Sequence, residues 1–179
     1  KLDILVEECD SLDIKIIARL EARKRKIPVL MDTSDRGMID IERFDLEPDR
    51  EILHGKIKVD NPDRLKTLTY EEKVPFILEM VGAENMSERM KASMLEVEQT
   101  LSSWPQLAGD VAMGGAICTE LVKEVLLGRE LNSGRFYIDP LEFINGKKEK
   151  KTTDDEDTPE INVRWELMQV NVEYGDEVP

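Results

Sequence analysis

The chain is 179 residues long, 40% hydrophobic and 36% charged, the size and balance of one ordinary domain with a core and a solvated surface. Its formal net charge of −14 sets it against nucleic acid, whose phosphates would repel it. No apolar run approaches the roughly 20 residues of a membrane span, and the opening residues carry no signal-peptide pattern, so neither a membrane nor a secretory route is expected.

The first residue is Lys1, not methionine, which predicts a fragment of a longer protein. Lys1–Glu7 is a short run rich in branched apolar residues and predicts a buried parallel strand. It stops at Glu8-Cys9-Asp10-Ser11. Asp10 is placed as the N-cap of the next helix, with Asp13 as a weak capping-box partner. Ile14, Ile16, Ile17 and Leu20 supply the apolar face of that helix. Arg23–Lys26 follow at its C-terminal end, where the helix dipole favours cations and solvent keeps them exposed. Ile27–Met31 predicts a second buried strand, with Pro28 near its start, where a missing N–H is tolerated. Lys1–Met31 is then one β-α-β unit, parallel and right-handed.

Gly37 breaks the chain, and the alternation of Met38–Phe44 predicts another strand. Asp45–Thr69 reads as irregular, punctuated by Pro48, Gly55, Asn61 and Pro62, with His54 as a loop residue. Three helices are predicted next, over Tyr70–Val81, Met86–Leu101 and Leu107–Leu127. The second carries the stripe Met86, Met90 and Met94, read as core or dimer contact. The third has the small residues Ala108, Ala112, Gly114, Gly115 and Ala116, which let another backbone come close, and Gly128 as its C-cap. Arg135–Ile138 is a last short strand. Residues 1–145 make up the domain. Residues 146–160 lack apolar side chains and read as a charged linker or flexible loop. Residues 161–179 read as a strand-like tail that returns to the domain or leads to a neighbouring one.

The only two cysteines, Cys9 and Cys118, cannot make a disulfide framework and are expected to be buried structural thiols in a reducing cytoplasm. A single histidine leaves little for a His-rich metal site or a Ser-His-Asp triad. No GxGxxG or GxxxxGK[ST] occurs, so a nucleotide enzyme would have to carry its phosphate loop upstream of Lys1.

The run LDILVEECDSLDIKIIARLEARKRKIPVLMDTSDRGMIDIERFD, and after it QLAGDVAMGGAICTELVKEVLLG, resembles the second half of the ThiF-like fold, the fold of the ubiquitin-activating and sulfur-carrier-activating adenylyltransferases. In that family a strand leads to an aspartate in a Cys-Thr-Asp-Asn-like turn, then to a helix, an "IPxV" strand, an Arg–Gly stretch and a later helix with paired small residues. The resemblance covers about two-thirds of the chain. It implies an α/β fold with a partial Rossmann-like sheet and packed helices, lacking the N-terminal nucleotide-binding half. It also implies ATP and Mg²⁺ as cofactors in the intact protein, and a carboxylate substrate at the C-terminus of a small carrier protein or a peptide. A homodimer is implied as well.

Carried over, Asp10 is the family aspartate, catalytic and the Mg²⁺ ligand. Ser11 stands where asparagine is usual and Lys15 where arginine is usual, and Arg36 with Gly37 matches the Arg–Gly stretch. These four residues are the implied cofactor-binding set. The paired CxxC motifs of many relatives are absent, so no structural zinc is expected. The fragment alone is expected to be inactive. The replacements at Ser11 and Lys15 leave open a non-catalytic dimerisation or docking module, and a dinucleotide-binding Rossmann domain is a third reading.

Overall fold

A computed structural model describes residues 2–58, 62–97, 100–102 and 106–146. The expected linker beyond Gly146 and the tail of 161–179 lie outside the described residues. The chain forms two compact units, Lys1–Pro140 and Leu141–Pro179. The second is described only through α6 (Pro140–Asn145), a short helix without buried side chains.

The first unit is a mixed α/β structure around a four-stranded sheet in the order β1-β2-β3-β4. The strands are β1 (Leu5–Val6), β2 (Val29–Asp32), β3 (Met38–Glu42) and β4 (Gly134–Tyr137). β1 and β2 pair in parallel across α1 (Leu12–Lys24), as the β-α-β reading requires. β2–β3 and β3–β4 are antiparallel. A tight turn over Thr33–Gly37 joins β2 to β3, and a connection that short can only reverse the chain. Arg36 and Gly37 both take positive φ in that turn, +56° and +54°.

β1 corrects the first expectation. It is two residues long and lies at the sheet edge, with Leu5 half-buried and Val6 exposed. Leu5 packs beside Ala22, Val29 and Phe44, whereas Val6, pointing to the opposite face, is left to solvent.

Helices cover both faces. On one face Met31 and Met38 join Leu12 and Ile16 of α1, Leu53, and Met80 of α3 (Tyr70–Val81). On the other, Leu30, Ile39 and Ile41 pack on Cys118 of α5 (Ala108–Leu126). Because side chains alternate along a strand, Asp40 and Glu42 share the α1 face with Met38, and both are buried. Arg19 answers them. It is fully buried, with Nη1 2.5 Å from Glu7 and Nε 2.7 Å from Glu42. The α1 face that meets the sheet is therefore Leu12, Ile16 and Arg19, whereas Ile14 is exposed. Asp40 is hydrogen-bonded by His54 and by Arg135. Arg50 Nε donates to His54 Nδ1, so the hydrogen on Nε2 faces Asp40. His54 sits in a short 3-10 turn (Ile52–Gly55), a connecting segment as expected.

α3 matches its predicted bounds and starts at a capping box formed by Thr69 and Glu72. The second predicted helix is shorter than its periodicity suggests. α4 spans Glu88–Met94, capped by the Ser87 hydroxyl on Met90 N–H. Among the described residues between Leu95 and Leu101, an isolated bridge joins Val97 to Leu101. Met86, Met90 and Met94 are all buried, so the stripe is core. A four-residue helix, α2 (Pro62–Leu65), precedes α3.

Candidate functional site

The parallel pair leaves both of its C-terminal strand ends on one side of the sheet, the usual place for a ligand in such sheets. A cleft of about 620 Å³ opens there. Glu8, Asp10 and Ser11 reach it from the loop after β1, Lys15 from α1, and Asp32 and Asp35 from the end of β2. The opposite wall is apolar, made by Ile77, Met80 and Val81 of α3 together with Met86, Met90 and Val97. The Thr33–Gly37 turn holds this wall in place. Asp35 accepts from the Ser87 N–H at 2.9 Å and from its hydroxyl at 2.5 Å.

Three of the four expected site residues meet in the cleft. Asp10 is exposed in its lining and is not the N-cap of α1. Ser11 takes that position with extended backbone, but its hydroxyl donates to Asp13 Oδ1 at 2.5 Å and caps no backbone N–H. That bond, helped by the charge of Lys73, outweighs burial, which acts upward, and holds the Asp13 carboxyl below the usual range. Lys15 lies 3.2 Å from Glu7. Burial pushes the Glu7 carboxyl up, and Lys15 and Arg19 together more than offset it, so Glu7 ends below the usual range. Arg36 is not in the lining. It pairs with Asp139 at 3.3 Å, donates to Asn85 O at 2.8 Å and stacks over the Tyr137 ring.

Cys9 is exposed rather than buried. It follows the strand end, and the last side chain there to turn inward is Glu7. Cys118 is buried, as expected of a core thiol.

Among the described residues, Glu8, Asp32 and Cys118 bring metal-type donor atoms within 4.8 Å of one another. Asp10 is not in that group. Glu8 is exposed as a residue, but its carboxyl end stands among protein atoms and accepts from Asp32 N–H at 3.1 Å. Loss of hydration, with Asp32 beside it, raises its pKa from 4.5 to about 7. Burial, then Asp32 and Glu8, push the Cys118 thiol up to about 12, so it is held as a thiol and not as a reactive thiolate. Gly114 makes this corner possible, since a Cβ there would collide with the Asp32 carboxylate.

Sequence reasoning missed Glu8, Asp32 and Lys73. Asp32 carried a usable signal, as the last residue of a strand in a β-α-β unit. Glu8 is adjacent to the turn already singled out. Lys73 carried none, because nothing local says which face of α3 meets the cleft. The hydroxyl of Tyr137, also in the lining, is buried and has no hydrogen-bond partner among the described residues.

Over 138 residues, 77% of the chain, the sequence is 51% identical to the uncharacterized protein MT1398 of Mycobacterium tuberculosis (strain CDC 1551 / Oshkosh), and the match spans 19% of that protein's length. No family model matches the chain, and no solved structure matches it. No helix among the described residues is long and apolar enough to cross a membrane.

Proposed function

We propose that this unit is the ligand-facing part of an ATP-dependent adenylyltransferase of the ThiF-like kind, acting as part of a longer cytoplasmic protein. The observation that supports the reading best is the position of Asp10. It follows the first strand of a parallel β-α-β unit, lines a cleft at the strand tips, and makes no hydrogen bond with a described residue. In the reaction proposed, a carboxylate oxygen attacks the α-phosphorus of ATP and pyrophosphate leaves.

The residues suit Mg²⁺ through oxygen donors. Glu8 and Asp32 bring carboxylate oxygens within 4.8 Å of each other, Asp10 lines the same cleft outside that group, and hard oxygen ligands are what Mg²⁺ takes. When bound, Mg²⁺ would offset charge on the phosphates. Asp10 would orient that end of the cleft, and Lys15, held by Glu7, would keep the start of α1 positive. Ser11 at the N-cap adds a hydroxyl near the helix N-terminus, an end that favours negative charge. The chain offers no glycine-rich phosphate cradle, so ATP would need groups from elsewhere in the longer protein.

A non-catalytic docking module is favoured by one fact. Lys15 and Arg36, the two cations implied for phosphate, are engaged with Glu7 and Asp139. ATP–pyrophosphate exchange by the full-length protein separates the two readings. Adenylation predicts exchange in the wild type and a loss of at least about a hundredfold in Asp10→Ala, comparable to losing a key transition-state contact. Equal exchange in both proteins would remove Asp10 from the chemistry, and none in either would leave the docking module.

A further inference from the structure

The cleft has an uncommitted cation beside an apolar wall. Two ammonium groups line it, Lys15 and Lys73, and Lys15 is paired with Glu7. Lys73 makes no ion pair or side-chain hydrogen bond with a described residue. It acts on Asp13 only through space. Spacings of four, seven and eight residues put Lys73 on the same face of α3 as Ile77, Met80 and Val81, and all four line the cleft.

We infer that the cleft takes a monocarboxylic acid with an apolar body, its carboxylate at Lys73 and its body along Ile77, Met80, Met86 and Met90. Charge argues for a single negative group. Glu8, Asp10, Asp32 and Asp35 line the same cleft, and a second negative group on the acid itself would face them with, among the described residues, no second free ammonium to offset it, unlike the phosphates of ATP, which Mg²⁺ offsets. The volume, about 620 Å³, lies within the range of small-ligand pockets, which are mostly apolar with a few placed polar groups. Methionine side chains are unbranched and adapt to varied apolar shapes, so the wall suits an aliphatic or aromatic body. That the acid is then adenylated rests on the function proposed above; that it binds does not.

Isothermal titration of the 179-residue chain with octanoate, acetate and octanamide tests this. Octanoate should bind at least tenfold tighter than acetate, since each methylene removed from water adds about fourfold. Lys73→Met should weaken octanoate about tenfold by removing the charged partner. Octanamide, which lacks the charge, should stay within twofold, and Lys73→Arg should restore octanoate. The unchanged amide affinity also reports that the variant is folded. Octanoate binding no better than acetate, equal losses for acid and amide, or no octanoate binding would each overturn the inference. If octanoate binding depends on Lys73 but the full-length protein shows no exchange with it, the adenylation reading falls and this one stands. Exchange with acetate as efficient as with octanoate would do the reverse.

Discussion

Arg19 is a fully buried cation held by two buried carboxylates, Glu7 and Glu42. Burial opposes its charge, but Glu42 and Glu7 more than restore it, raising its pKa further. Removing one member of a buried ion group leaves the others charged and unpaired, which costs about 3–5 kcal/mol. Arg19→Ala is therefore expected to lower the unfolding free energy by about that amount, read from the urea midpoint. A loss below about 1 kcal/mol would mean that water reaches the pair. Nothing local along the chain pointed to this role. A positively charged residue in mid-helix, three residues after Ile16, is read by default as solvated, because arginine is almost never fully buried unless paired. Its partners lie 12 and 23 residues away.

α5 shows how a helix is shaped by one contact. Gly114 and Gly115 are neighbours in its interior, where glycine is less favourable than alanine by about 1 kcal/mol. Their surroundings differ. A Cβ on Gly114 would collide with the Asp32 carboxylate, while one on Gly115 meets nothing within 4 Å. Gly115→Ala should stabilise by up to about 1 kcal/mol. Gly114→Ala should destabilise, because overpacking costs about 1–3 kcal/mol and exceeds the helix gain. Thermal unfolding of the two variants decides it, and equal stabilisation of both would show that α5 does not press on Asp32. The paired small residues were legible as an invitation to close approach. That the approaching group is the carboxylate of Asp32, not another backbone, could not be read from a pattern. The same limit applies to α4, where the helix expected from apolar spacing runs on to Leu101 while the helical backbone ends at Met94.

Across the first compact unit, the unusual proton equilibrium is at the cleft. Glu8 has its pKa raised to about 7 from 4.5. A carboxyl with a raised folded-state pKa holds its proton longer than in the unfolded chain, so between those values the folded state binds more protons and stability falls as pH rises. The melting temperature should therefore contain a component that declines from about pH 4.5 to about pH 7 and then levels. Glu42, raised mainly by burial, acts in the same direction. Subtracting the Glu8→Gln profile from that of the wild type isolates Glu8, and parallel profiles would refute its raised pKa. Glu7 and Asp40, both lowered, act the other way and lose their contribution only at lower pH.

The sequence by itself determined the opening β-α-β unit, the start and end of α3, the extent of α5 and the methionine stripe as a contact surface. All of these follow from periodicity, capping and turn residues, which act over a few neighbours along the chain. It also put Asp10, Ser11 and Lys15 beside one strand end. Only the tertiary structure decided that β3 and β4 run antiparallel, that β1 is an edge strand, and that Asp40 and Glu42 face inward on a buried arginine. It alone placed Lys73 across the cleft from Asp10 and turned Arg36 toward Asp139. Such pairings join residues that are distant along the chain, and their energy comes from burial and charge neutralisation, which exist only once the layers have closed.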